Sequence, residues 1–146
     1  RSYLDVVIRN KISGAIKIID LKTSTRSWTD FHKKNFYKTS QLVLYKQKYS
    51  EAYGIPLDKI TVEFLILKRK IAKNSDFPIS RLQRFEPANG KPTVNKVDKA
   101  FTEFRELILD SKGDYKTDRN YNASPGRACT FCEFLNTEHC KWGKKL

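Results

Sequence analysis

The sequence predicts one α/β domain closed by a cysteine-bearing tail, and three observations carry that prediction. Two segments rich in Val and Ile flank a turn-like stretch. A helical period and a third apolar run follow them, the latter apolar enough to be a central strand. All three cysteines lie beyond residue 128. A chain of 146 residues suits a single domain with its own core.

The elements follow in order. Tyr3 to Ile8 and Ala15 to Leu21 read as strands of a hairpin, with Asn10 to Gly14 as its turn. Thr23 to Thr39 mixes polar and aromatic residues without a clean period and reads as a loop with some irregular helix. From Ser40 to about Tyr53, Leu42, Tyr45, Tyr49 and Ala52 recur at helical spacing. Ser40 or Thr39 is placed to cap the start of this helix, Gly54 to cap its end, and Pro56 to prevent continuation. Ile60 to Leu67 reads as the third strand and Ile79 to Phe85 as a fourth at an edge. After a turn-rich Pro87 to Pro92, the stripe Val94, Val97, Phe101, Phe104, Ile108 predicts an amphipathic helix ending near Asp110. Ser111 to Arg127, with Pro125-Gly126, reads as a loop.

Charge narrows the partners. Twenty-nine Lys and Arg against sixteen Asp and Glu leave a net charge of +13, a field that attracts polyanions. No run approaches the ~20 apolar residues of a membrane span. The chain holds no Met and opens directly on a strand, so it is expected to be part of a longer protein.

Chemistry concentrates in the first two strands. Asp5 lies between Leu4 and Val6, where a carboxylate is costly to bury without a partner and would otherwise face water at an edge. In Ile18-Ile19-Asp20-Leu21-Lys22, strand alternation puts Asp20 and Lys22 on one face, about 7 Å apart. A hairpin would bring Asp5 beside Asp20. Two carboxylates, with the Leu21 carbonyl, suit a hard divalent cation, and Lys22 suits an attacking water or a developing negative charge. The alternative is that Lys22 simply neutralises Asp20 at the surface. Gln41 and Tyr45, four residues apart, share one helical face.

Asp5, then Ile19-Asp20-Leu21-Lys22-Thr23-Ser24, then Gln41-x-x-x-Tyr45 resembles the PD-(D/E)XK nuclease superfamily, and within it the RecB-like exonuclease branch. The resemblance is close over residues 3 to about 54. It implies a restriction-endonuclease-like mixed sheet flanked by helices. It implies Mg²⁺ or Mn²⁺ held by Asp5, Asp20 and the Leu21 carbonyl, with Asp5, Asp20 and Lys22 as the catalytic set. Gln41 and Tyr45 would position DNA and the active-site residues. The family's acidic or histidine residue on a helix before the first strand has no counterpart in this chain. Without it the segment alone would lack a metal ligand and be inactive. His32 and Glu63 are available, but nothing in the sequence marks either as a substitute.

Cys129-x-x-Cys132 followed by Cys140 lets thiolates converge on one metal or cluster. Reduced structural thiols, or one disulfide and a spare, are the plainer readings. The trio resembles the trailing cysteines of AddB-type and CRISPR-associated iron–sulfur nucleases. That likeness implies a 4Fe–4S cluster, with the fourth ligand outside this segment. Zinc, with His139 as a neighbouring donor, is the rival. Residues 1–128 would then be the nuclease core and 129–146 a tail packed on the same domain.

Lys33, Lys34, Lys46, Lys48, Lys68, Arg69, Lys70 and Lys73 are expected to line a channel for DNA. Trp28, Phe31, Phe36 and Tyr37 either stack on bases or fill the core. The leading expectation is a metal-dependent exonuclease acting on DNA strands or ends in recombination, repair or replication. It would work beside a helicase or recombination partner, in the reducing cytoplasm or nucleoid of a prokaryotic or virus-infected cell. The alternative is a non-catalytic nucleic-acid-binding module, whether a nuclease-like scaffold or a zinc-stabilised RNA or DNA binder.

Overall fold

The computed structural model describes residues 3–70, 80–118 and 125–140, in two compact units, 1–107 and 108–146. The first unit opens with the hairpin. β1 (Val6–Arg9) pairs antiparallel with β2 (Ile16–Ser24), from Val6 opposite Ile19 to Arg9 opposite Ile16. The turn is closed by Asn10, whose Oδ1 accepts from the N–H groups of Ile12 and Ser13 at 2.9 Å. Gly14 follows at φ 70°, which a side chain would resist. β1 starts later than the Tyr3 expected from sequence, so Asp5 stands just before the strand rather than inside it.

The stretch between the hairpin and the third strand is more helical than its composition suggested. A short α1 (Asp30–Lys33) precedes α2 (Phe36–Tyr53), which begins four residues ahead of the expected Ser40. The cap is Asn35, whose side chain accepts from the Lys38 N–H at 3.0 Å. Thr39 and Ser40 instead bond back to carbonyls of the preceding turn, Ser40 Oγ to Phe36 O at 2.6 Å. Short hydroxyl side chains can do either, and the stronger Asn cap upstream settles which. At the other end Gly54 is left-handed, φ 64°, and its N–H donates to Ser50 O, as a glycine cap should.

α2 is the crossover that returns the chain to β3 (Ile60–Lys68), which runs parallel to β2 from Ile60 opposite Ile16 to Lys68 opposite Ser24. β4 (Leu82–Phe85) pairs antiparallel with β3, and the sheet order is β1-β2-β3-β4. Of the fourth strand expected over 79–85, residue 79 lies outside the described residues. α3 (Lys91–Ile108) joins α2 through Val94 and Val97 packed against Val43. This mixed sheet flanked by helices is the restriction-endonuclease-like α/β arrangement.

The main core lies between one face of the sheet and α2. Ile16, Ile18, Leu42, Ile60, Val62, Phe64 and Ile66 are buried there, with Trp28 at its margin. Each such side chain contributes about 1.5–3 kcal/mol of transfer free energy, so the centre of the sheet is the rigid platform on which polar residues can be held. In the second unit, Leu109 bridges to Tyr115, and a 3₁₀ helix spans Arg127–Phe131.

Candidate active site

The inward row of β2 is Ile16, Ile18, Asp20, Lys22. The first two fill the core, and the third puts a carboxylate where an apolar side chain would continue it. Asp20 is 4% exposed. Burial raises its pKa above the usual carboxylate value, the neighbouring Lys22 ammonium opposes that rise, and the charge of Asp5 adds to it. Lys22 Nζ lies 2.7 Å from Asp20 Oδ2, yet that buried oxygen accepts no well-aligned hydrogen bond. It is a desolvated acceptor with room in its bonding.

Lys22 is also held from the helix side. Its Nζ donates to Gln41 Oε1 at 3.1 Å, and Gln41 Nε2 donates to the Tyr45 hydroxyl at 2.8 Å. Asp20, Lys22, Gln41 and Tyr45 therefore form one polar chain crossing from β2 to α2. Asp5 meets it from the β1 side: its Oδ2 accepts from the Leu21 N–H at 2.8 Å. Extending the β1–β2 register by one position sets Asp5 opposite Asp20. The Leu21 N–H faces the β1 edge, and within a strand a residue's carbonyl points the same way. Pairing with β1 has ended by then, so the Leu21 carbonyl lies outside the sheet ladder.

Glu63 lies apart from this group. It is the register partner of Ile19, on the opposite face of the sheet, where Lys17 (2.5 Å) and Arg84 both bind its carboxylate. The Arg84 hydrogen bonds, Arg84 Nη2 to Glu63 Oε2 at 2.8 Å among them, are the main cause holding its pKa down to about 2. It is a structural ion cluster. His32 stacks on Trp28, ring centroids 6.2 Å apart, and its Nδ1 shares a hydrogen bond with Thr29 Oγ1 at 3.1 Å.

The aromatics left open between base stacking and core, and the basic residues expected to line a DNA channel, divide. Trp28 is buried against Phe64 and Phe85, and Phe36 packs against the Val43 cluster, so both belong to the interior. Phe31 and Tyr37 are exposed. Lys46 is also a correction. It is 7% exposed and donates to the Asn89 carbonyl and side chain, at 3.2 and 2.6 Å, tying α2 to the turn before α3. It cannot line a channel. Lys48 pairs with Glu51 at 2.8 Å, Lys34 with Asp30 at 3.9 Å, and Arg69 reaches Thr25. Lys33 lies over the Phe85 ring, and Lys73 falls outside the described residues.

Two residues escaped the sequence reading. Gln83 on β4 accepts from the Trp28 N–H (2.6 Å) and donates to the Trp28 carbonyl (3.0 Å), clamping the segment that follows β2. Lys38 sits over the Trp28 ring, 5.6 Å from its centroid, beside a cavity that Lys22 and Gln41 also line. No local spacing links residues 28, 38 and 83, so no motif could have found them.

Cys129, Cys132 and Cys140 are free thiols, the first and last half-buried and Cys132 exposed. Among the described residues no three or more His, Cys, Asp or Glu side chains come together as a metal cage. The Asp pair stands as two carboxylates, and the cysteines are not brought into one group.

A family model for the PD-(D/E)XK nuclease superfamily matches residues 1–137. The chain belongs to that superfamily. No curated protein and no solved structure matches it significantly. The enzymes of this superfamily are nucleases, hydrolases of nucleic acids that typically use Mg²⁺ or Mn²⁺. Among the described residues no helix is long and apolar enough to cross a membrane.

Proposed function

We propose that this chain carries the catalytic residues of a divalent-metal-dependent DNA exonuclease of the RecB-like branch, serving recombination, repair or replication. The supporting observation is the continuous polar chain Asp20–Lys22–Gln41–Tyr45 with Asp5 one register step away.

The residues present fit a metal. Asp20 offers a buried carboxylate whose desolvation the Lys22 ammonium at 2.7 Å does not fully offset, and a cation would offset it further. Asp5 and the Leu21 carbonyl face the same edge of β2. These three would hold Mg²⁺ or Mn²⁺, with waters completing a shell that such ions readily keep. When bound, the ion supplies Lewis acidity and lowers the pKa of water. The chain's own part is positioning. Asp20 anchors Lys22, whose ammonium is placed to orient the attacking water and offset charge growing on the phosphate. Gln41 prevents that ammonium from swinging toward solvent, and Tyr45 fixes the Gln41 amide in turn.

The cysteine trio is proposed as a structural 4Fe–4S site of the AddB type, with a fourth ligand from outside this segment. Its support is the Cys129-x-x-Cys132 spacing and the resemblance of the trio, since the described thiols are not gathered into one group. Visible absorption and iron content in anaerobically purified protein support it; stoichiometric zinc without colour overturns it.

The deciding experiment takes this segment together with the preceding helix that the family resemblance calls for and digests end-labelled single- and double-stranded DNA with Mg²⁺ or Mn²⁺, alongside the Lys22→Ala variant. A fall of roughly 10²–10⁴-fold in the variant is expected, with linear but not circular substrates degraded. Unchanged cleavage in Lys22→Ala refutes the assignment, and equal cutting of circles refutes the exonuclease.

A further inference from the structure

We propose that the cavity beside Lys22 is a strand-end pocket that binds the terminal phosphate of a nucleic acid, so that the bond presented to the active site is the one next to the end. This rests on the nuclease reading and adds a substrate feature to it.

The cavity measures about 340 Å³, in the range of small-ligand sites. Lys22, Ser24, Trp28, His32, Lys38 and Gln41 line it, and Thr23 borders it with its side chain alternating to the other face of β2. Among the described residues no carboxylate lines it, although Asp20 pairs with the Lys22 ammonium. Such a surface selects an anion that accepts several hydrogen bonds. A phosphate monoester carries about −1.5 to −2 at neutral pH, against a single charge for a bridging diester. Lys22 is already paired with Asp20, so the charge that favours an end over the middle of a strand is chiefly that of Lys38, which has no carboxylate partner among the described residues.

The wall supports the same choice. Trp28 closes one side of the cavity, 9% exposed and packed at 5.1 Å on Phe64. Gln83 grips both backbone groups of Trp28, so this wall is built in and does not depend on a ligand. Lys38 is held over the same ring at 5.6 Å, which places its ammonium before any ligand arrives. Lys22 lines the cavity and belongs to the catalytic chain, so an anchored end and the reacting phosphate are neighbours.

The test uses the full chain in chelator, where binding is read without cleavage. An internally labelled single-stranded oligonucleotide is prepared with a 5′-phosphate, with a 3′-phosphate, or with hydroxyls at both ends. One phosphorylated form should bind about tenfold tighter than the hydroxyl form, the increment of one charge-assisted contact. Lys38→Ala should erase that ratio and Lys38→Arg should keep it; Lys38 is solvent-exposed, and an unchanged melting temperature confirms the fold. Equal affinity for all three ends, or a Lys38→Ala loss shared by all three, overturns the pocket. If that happens while Lys22→Ala still abolishes cleavage, the strand-end pocket alone is lost. Cleavage surviving Lys22→Ala would remove the nuclease reading, whatever the ends show.

Discussion

Asp20 and Glu63 are both buried acids in apolar strands, and the structure assigns them opposite thermodynamic signs. Glu63→Gln keeps the shape and removes the charge. The wild-type carboxyl is depressed from 4.5 to about 2 in the folded state, by Arg84 first and Lys17 next. That difference corresponds to about 3 kcal/mol of stability at neutral pH. Both cations reach into solvent, with side-chain exposures of 68% for Arg84 and 35% for Lys17, so screening lowers the figure to about 2 kcal/mol. A depressed acid stabilises the fold fully above its unfolded pKa and loses that contribution as pH falls through the folded value. Glu63→Gln should therefore melt on the order of 8 °C lower at pH 7. The gap should close between about pH 4.5 and pH 2. Thermal denaturation followed by circular dichroism at several pH values reads both. A variant as stable as wild type at pH 7, or a gap that persists at pH 2, would refute the ion-cluster reasoning.

Asp20 predicts the reverse. Its raised pKa means the ionised form opposes folding, a penalty absent below the unfolded pKa, growing as pH rises from there and complete above the folded value. Asp20→Asn should melt at or above wild type at pH 7 while losing cleavage, and a marked drop in melting temperature would show that Asp20 is structural. Gln41→Ala frees Lys22 from the helix side, so a roughly 10–100-fold loss of kcat is expected, as for other residues that orient a reacting group; full activity would mean Lys22 needs no helix partner. Phe64→Ala empties the centre of the main core and should destabilise by about 3–5 kcal/mol in denaturant titration. A loss below 1 kcal/mol would contradict the close packing described for the sheet.

The candidate site was legible wherever its geometry is local. Asp20 and Lys22 are two apart in a strand and Gln41 and Tyr45 four apart in a helix, so their shared faces follow from repeat geometry alone. Asp5 needed one further step, a hairpin whose turn Asn10 and Gly14 already announced. The start of α2 was misplaced because three capping residues, Asn35, Thr39 and Ser40, compete within one turn, and only hydrogen-bond geometry decides among them. Lys46 was misread, and Trp28 and Phe36 were left open between base stacking and core, for a different reason. An aromatic or basic residue in an irregular segment looks the same in sequence whether it faces solvent or Phe64 or Asn89.

Residue order by itself determined the strands, the crossover helix, the acid–acid–lysine set and the family those motifs indicate, because each depends on contacts between near neighbours. Tertiary structure alone decided that Asp20 is buried with its pKa raised beside Lys22 while Glu63 is locked in an ion cluster on the other face. It also decided that Gln83 and Lys38 converge on Trp28 beside the reacting lysine. Those facts arise from contacts between segments far apart in the chain. Burial and charge pairing at such places depend on which strand lies alongside, and that is set only when the whole sheet closes on its core.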